Sequence, residues 1–247
     1  MALAANRIVV IHKFGGRLMA KQLAKEQKIS ATPIAKRRVP RAGRPTTALI
    51  TRDAAAAAAL SMIDQNGLEA LSLQSVAKVL SVSAPSLYHH FRDKDELLAH
   101  VARRLLQEVG SEQAGWSADW EERMIELSLA TRHVMLRHPN AASLALRFFP
   151  RQVMLTAYEN SLADCPYPAE VQVVISDLIE KFTYGSALFA AAAEVHHIPA
   201  MPPVDPAQFP YLAHALELAP SEEEVFLEGM RAVLDGLRKR FGTPTNR

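Results

Sequence analysis

Residues 81–91 read SVSAPSLYHHF, and they gather hydroxyls, a phenol and imidazoles within about three helical turns. Serine hydroxyls such as those of Ser83 and Ser86 donate to or accept from base edges. A small methyl such as that of Ala84 touches thymine, and a phenol or imidazole reaches a phosphate. Val82, Leu87 and Phe91 are interleaved with these groups as core anchors, so Ala84, Ser86, Tyr88 and His89 are expected to turn away from a small core. Ser83 caps this helix, and Pro85 falls in its first turn, where a missing N–H costs nothing. The capped start of a short helix is where a recognition helix meets bases and phosphates. Lys94, just beyond, supplies a point charge for the nucleic-acid backbone, while His90, beside Phe91, reads as a partly buried packing residue.

Such a helix needs neighbours to hold it. Thr51 is expected to cap a first helix over about 52–65, with Asp53 in its first turn, until Asn66-Gly67 stops it. Ser72 caps a second helix. Leu71 and Val76 form its staple, and Leu73, Val76, Ala77 and Leu80 make its stripe. Only Ser81, Val82 and Ser83 separate the second helix from the third, which is a helix-turn-helix connection. Asp93 and Glu96 make a capping box for a fourth helix, whose Leu97, Leu98, Val101, Leu105 and Val109 share one face until Gly110.

Charge is distributed unevenly. Residues 1–44 hold eleven Lys and Arg against one acid, Glu26, although the net charge of the 247-residue chain is only +2. A basic arm on a mildly acidic body points to a polyanionic partner touched by one end of the chain. Residues 1–46 read as a disordered extension, with Met19 as an alternative start. Its last residues carry Arg41 and Arg44 in an Arg-Gly-Arg-Pro context that suits a narrow minor groove. Cys165 is the one cysteine, which excludes an internal disulfide and suits a reducing cytoplasm. No run of about 18 apolar residues is present to cross a membrane.

Residues 51–98, TRDAAAAAALSMIDQNGLEALSLQSVAKVLSVSAPSLYHHFRDKDELL, resemble the DNA-binding domain of the tetracycline-repressor (TetR) family of bacterial transcription regulators. APSLYHHFRDKDELL is especially similar to the tetracycline repressors. The resemblance implies operator contact by Gln74 from the second helix and by Ala84, Pro85, Ser86, Tyr88 and His89 from the third, with Lys94 on phosphate. Two positions depart from the family pattern. Ser81 stands where glycine is usual in the turn, which strains that corner, and Gln74 stands where tetracycline repressors have a base-reading arginine, so the operator should differ. The implied fold is all-α: a three-helix helix-turn-helix domain over 47–100 and a helical regulatory and dimerisation domain over 101–247. The implied function is that of a sequence-specific regulator, a repressor, released from a palindromic operator by a small-molecule inducer, with neither cofactor nor enzymatic activity.

The C-terminal half fits this helical reading. Trp120, Met124, Leu127, Thr131, Val134 and Met135 form a stripe ending at Arg137-His-Pro-Asn140, and a long helix begins near Val171 and ends near His197. Ser221 and Glu224 cap a last helix. Ile175, Leu178, Gly185, Phe226, Gly229, Met230, Val233 and Leu237 fit either an intramolecular core or a two-fold four-helix interface; the resemblance implies the homodimer, which a palindrome also asks for. Soft and aromatic residues suggest a ligand pocket lined by Trp120, Phe148, Tyr158, Phe182, Tyr184 and Phe189, with His133 and Arg147 as polar anchors. Two competing readings remain in the sequence. One is a metal-responsive regulator using His133, His138, His196 and His197, although adjacent histidines on a helix point about 100° apart. The other is a nonspecific DNA-binding protein driven by its basic arm.

Overall fold

The computed structural model describes residues 50–111, 115–199 and 201–242, and within them every regular element is a helix. Four helices make the N-terminal head: α1 (Arg52–Asn66), α2 (Leu73–Val79), α3 (Ala84–Tyr88) and α4 (Lys94–Ser111). Side chains close their exposed amides at the expected places. Thr51 accepts from the Ala54 amide at 3.0 Å, Ser72 and Ser75 form a reciprocal box, and Ser83 accepts from Ser86 at 3.3 Å. Gly67 ends α1 at φ 76°, a backbone angle that favours glycine.

Two local expectations need correction. The Asp93–Glu96 box is half formed: Asp93 accepts from the Glu96 amide, but Glu96 reaches back to the Arg92 amide rather than to that of Asp93. The third helix is also shorter than its apolar spacing suggests. It ends at Tyr88, and Phe91 enters the core from the turn beyond, its amide still bonded to the Leu87 carbonyl at 3.0 Å. The strain expected at Ser81 is present. Its φ is 55°, in the left-handed region, where it lets the Val82 amide turn back to the Ala77 carbonyl at 3.0 Å.

The body comprises α5 (Trp120–Arg137), α6 (Ala142–Arg147), α7 (Arg151–Ala163), α8 (Ala169–His196), α9 (Pro210–Glu217) and α10 (Glu222–Phe241). Its core is not separate from that of the head. Leu87, Phe91, Leu97, Val101 and Leu105 belong to one buried cluster with Val134 and Met135 of α5, Leu144 of α6, and Ala187 and Ala191 of α8. Helix α4 runs without interruption through residue 100, so head and body share a continuous rod. A second cluster at the far end joins Trp120, Met124, Ile175, Ile179, Phe226, Met230, Leu234 and Leu237.

That second cluster settles the stripes. Ile175, Phe226, Met230 and Leu237 are at most 4% exposed inside a single chain, so they form intramolecular core and are unavailable to a second copy. Gly229 serves the same contact: a Cβ there would lie 2.6 Å from Phe182 Cζ, whose ring stacks on Phe226 at 5.5 Å. Val233 packs against the same cluster. Only Leu178 and Gly185 of that set face outward.

Candidate nucleic-acid interface and regulatory site

Helix α3 has one buried side chain, Leu87, and everything around it follows from that anchor. Pro85, Tyr88, His89 and the cap Ser83 are exposed, and Ser86 is half-buried. Ala84 departs from expectation, because it packs partly against the head core and shows only part of its methyl. Gln74 is exposed on α2, so residues from two helices reach the same kind of surface. Lys94 is more constrained than a solvated charge. Its ammonium donates to the Leu68 carbonyl at 3.2 Å, which uses one of its three N–H groups and fixes the position of the rest. Arg41 and Arg44 lie outside the described residues.

Behind this surface, Arg52 of α1 bonds Glu96 at 3.1 Å, contacts His100 Nε2 at 3.3 Å and lies over the Phe91 ring. The Arg92 amide holds the Glu96 carboxyl below its ordinary range. Burial, aided by Arg103 and Arg52, holds His100 below the usual histidine range, so it stands as a neutral acceptor. This polar knot clamps the start of α1 to α4 just behind the recognition helix.

The eight residues expected around a ligand separate in space. Trp120 is core, its indole N–H donating to the Ser161 carbonyl at 3.0 Å, and Phe182 is stacked into the same core. His133 pairs with Glu223 of α10 at 2.7 Å, and Arg147 turns to Asp95 of α4 at 3.2 Å. Phe189 is 78% exposed on α8, so it lines no interior of this chain. Tyr158 and Tyr184 stay together. The Tyr158 hydroxyl donates to Glu180, and Glu180 lies one turn before Tyr184 on α8. Phe149 meets the Tyr184 ring edge-on at 5.8 Å, and Arg147 covers Phe148 at 4.8 Å. Burial, with Glu180 adding to it, drives both phenols well above their ordinary range, so they remain protonated donors.

Glu180 was not foreseen. Its signal was an acid following Leu178 and Ile179 in the largely apolar Val173-Val-Ile-Ser-Asp-Leu-Ile-Glu180 stretch of a long helix, where Asp177 is a second acid. Arg132 was also missed. It is 2% exposed, donates to the Ser186 carbonyl and hydroxyl at 3.3 and 3.2 Å, and lies over the Phe226 ring. Its closest counter-charge is Glu222 at 3.8 Å. The histidines considered for a metal are dispersed, and among the described residues no group of three or more His, Cys, Asp or Glu is disposed to hold an ion. No described helix is long and apolar enough to cross a membrane.

A capped recognition helix exposed on a helix-turn-helix head, fused through α4 to an all-helical body, defines a DNA-reading regulator. Residues 56–101 match the domain described as bacterial regulatory proteins, tetR family, and residues 115–241 match the tetracyclin repressor-like C-terminal domain. The chain belongs to the tetracycline-repressor family and is a DNA-binding, ligand-responsive transcriptional regulator. It is 27% identical over 186 residues to the class E tetracycline repressor of Escherichia coli, covering 72% of this chain and 86% of that protein. Among solved structures it is similar to the Streptomyces coelicolor TetR family protein ActR in complex with actinorhodin (TM-score 0.61, 26% identity, 79% of this chain and 98% of that one). TetR from Acinetobacter baumannii AYE shares the fold, with a TM-score of 0.62, 21% identity and coverage of 78% and 98%.

Proposed function

We propose that the protein is a cytoplasmic repressor that binds a palindromic operator as a symmetric homodimer and is released by a small molecule held beside Tyr158, Glu180 and Tyr184. The observation that carries the DNA half is the outward display of Ser83, Pro85, Tyr88 and His89 around the single buried anchor Leu87, with Gln74 on the preceding helix. Helix α3 spans five residues, too few to specify an operator alone, and two copies on a palindrome multiply the discrimination.

The surface for self-association is the exposed stripe of α8. Val174, Leu178, Gly185 and Phe189 recur on one side of that helix, and Val174, Leu178 and Phe189 are 48%, 43% and 78% exposed. Tyr211 in α9 and Leu218 at its end, 91% and 71% exposed, add apolar area that a lone protomer leaves in water. The ligand half rests on two phenol donors and a carboxylate held among aromatic rings, a polar minority in an apolar surround that suits a small organic ligand. The ligand acts by binding unequally to two spacings of the recognition helices.

Selection of bound duplexes from a random pool tests the reading, and the expected product is an inverted repeat. Recovery of no sequence preference refutes it. With that duplex in hand, Ser86→Ala should relax preference at one base pair per half-site, costing about 1–3 kcal/mol there. Lys94→Ala should weaken binding to all sequences alike and lower the slope of log affinity against log salt by about 1 per subunit. An unchanged slope removes Lys94 from the phosphate contacts.

A further inference from the structure

Glu180 is a carboxylate that the chain itself does not answer with a cation. It accepts the Tyr158 hydroxyl from α7, and no other group among the described residues bonds to its carboxylate. Lys181, next in the chain, turns instead to Asp177 at 2.5 Å. Arg147 pairs with Asp95 at 3.2 Å, and the exposed Arg151 lies over the Phe149 ring at 5.4 Å. Tyr158, Glu180 and Tyr184 are all half-buried, as is Met154, one turn before Tyr158 on α7. The charge reaches both phenols: after burial itself, Glu180 is the group that raises Tyr158 and Tyr184 above their ordinary range.

A carboxylate drawn away from water without a counter-charge is costly to keep. What surrounds it selects the sign of whatever completes it. Tyr158 spends its one proton on Glu180, so toward a ligand its oxygen offers lone pairs. With the remaining lone pairs of the carboxylate and the Tyr184 oxygen, the group is rich in acceptors. The faces of the Tyr158, Tyr184 and Phe149 rings are electronegative and attract positive charge as well. An anionic ligand meets Glu180 as a like charge, and a neutral one excludes water from the carboxylate without replacing it. We propose, resting on the reading of this group as the ligand site, that the inducer is an organic cation, a protonated amine on an aromatic or apolar body. Its ammonium donates to Glu180 and to the phenol oxygens, and its body lies against Phe149 and Met154.

The test titrates the full-length chain near neutral pH, where an alkylamine stays protonated. The probes are benzylamine, naphthylmethylamine and anthracenylmethylamine, each beside the alcohol and the carboxylate of the same ring system, with binding read by calorimetry. On any body that binds, the amine should hold about tenfold or more tightly than its alcohol, because a hydrogen bond to an ionised partner is about twice as strong as a neutral one. The carboxylate should bind least. Glu180→Gln keeps the size of the side chain and an oxygen for the Tyr158 proton, so it should bring the amine down to the level of the alcohol and leave the alcohol unchanged. An alcohol or carboxylate that matches the amine, or an amine preference that survives Glu180→Gln, overturns the cationic ligand. If Glu180→Gln does not fold, the ranking of each triplet on wild type decides alone. Tyr184→Ala separates this outcome from failure of the site itself, since it removes a wall whatever the charge of the ligand and should weaken all three members of a triplet. If no triplet binds, or if binding ignores Tyr184→Ala, the site reading falls and takes the cation with it. If Tyr184→Ala weakens a triplet whose alcohol or carboxylate binds best, the site stands and the cation alone is refuted.

Discussion

Phe91→Ala is expected to abolish sequence-selective DNA binding while leaving most of the protein helical. Phe91 has no exposed surface, and it lies outside α3 in sequence while filling the space beneath it. Deleting a buried phenylalanine side chain costs about 3–5 kcal/mol through lost burial and the cavity left behind. A helix of five residues has almost no stability of its own, so its position depends on what lies under it. The substitution also dismantles the knot behind α3: the ring contacts His100 edge-on at 5.4 Å and lies under the Arg52 guanidinium at 5.5 Å.

A pH signature accompanies the loss. In wild type, burial depresses the proton affinity of His100 in the folded state. Its contribution to stability is present above the ordinary histidine range and is lost as pH falls through that range, because the unfolded chain takes up the proton more readily. Opening the cavity admits water to His100 and flattens this acid limb. Thermal melting at several pH values, together with binding to the selected duplex, checks both effects. Operator affinity within about threefold of wild type would mean that α3 stands without its floor, against the expectation from core packing.

The head was legible in the sequence because its determinants are local. Thr51, Ser72 and Ser83 each cap an amide three residues ahead, and Gly67 marks a φ that few other residues accept. Spacing within a dozen residues is enough to place such elements. The exit from α3 was not legible, since Phe91 continues the i, i+4 rhythm of Leu87 although the helix has already ended. The body was harder for the same physical reason. Stripes on α8 and α10 announce burial but do not say against what, and Phe182, Phe226 and Gly229 turn out to meet within one chain. Trp120 read as a ligand aromatic until its N–H was found on a carbonyl 41 residues away. Helix α9 lay hidden among prolines, one of which, Pro210, begins it, where a missing N–H is harmless. Glu180 escaped notice because an acid in a helix is ordinarily a solvated one, and its phenol partner comes from a different helix.

Leu178→Glu carries the second large effect and bears on assembly rather than folding. Leu178 is 43% exposed, so a carboxylate there reaches water in a lone protomer and costs the fold little. In a two-fold interface along α8, each copy would bring this position near its own symmetry mate, placing two unpaired carboxylates in an apolar contact that also includes Val174 and Gly185. The dimer should therefore dissociate while each protomer keeps its melting transition. The DNA consequence is larger than the local one. A dimer engages its second half-site at the effective concentration set by its tether to the first, which is worth about 100-fold or more in affinity, and a dissociated protomer forfeits that advantage. Sedimentation should give the mass of one chain, and affinity for a duplex carrying both half-sites should fall to that for a duplex carrying one. Gly185→Ala provides a graded companion, because a Cβ at that position meets nothing within 4 Å in the protomer. Any loss of self-association it causes must come from contact between copies. A Leu178→Glu protein that sediments as a dimer and holds its operator as tightly as wild type would exclude this face of α8 from the interface.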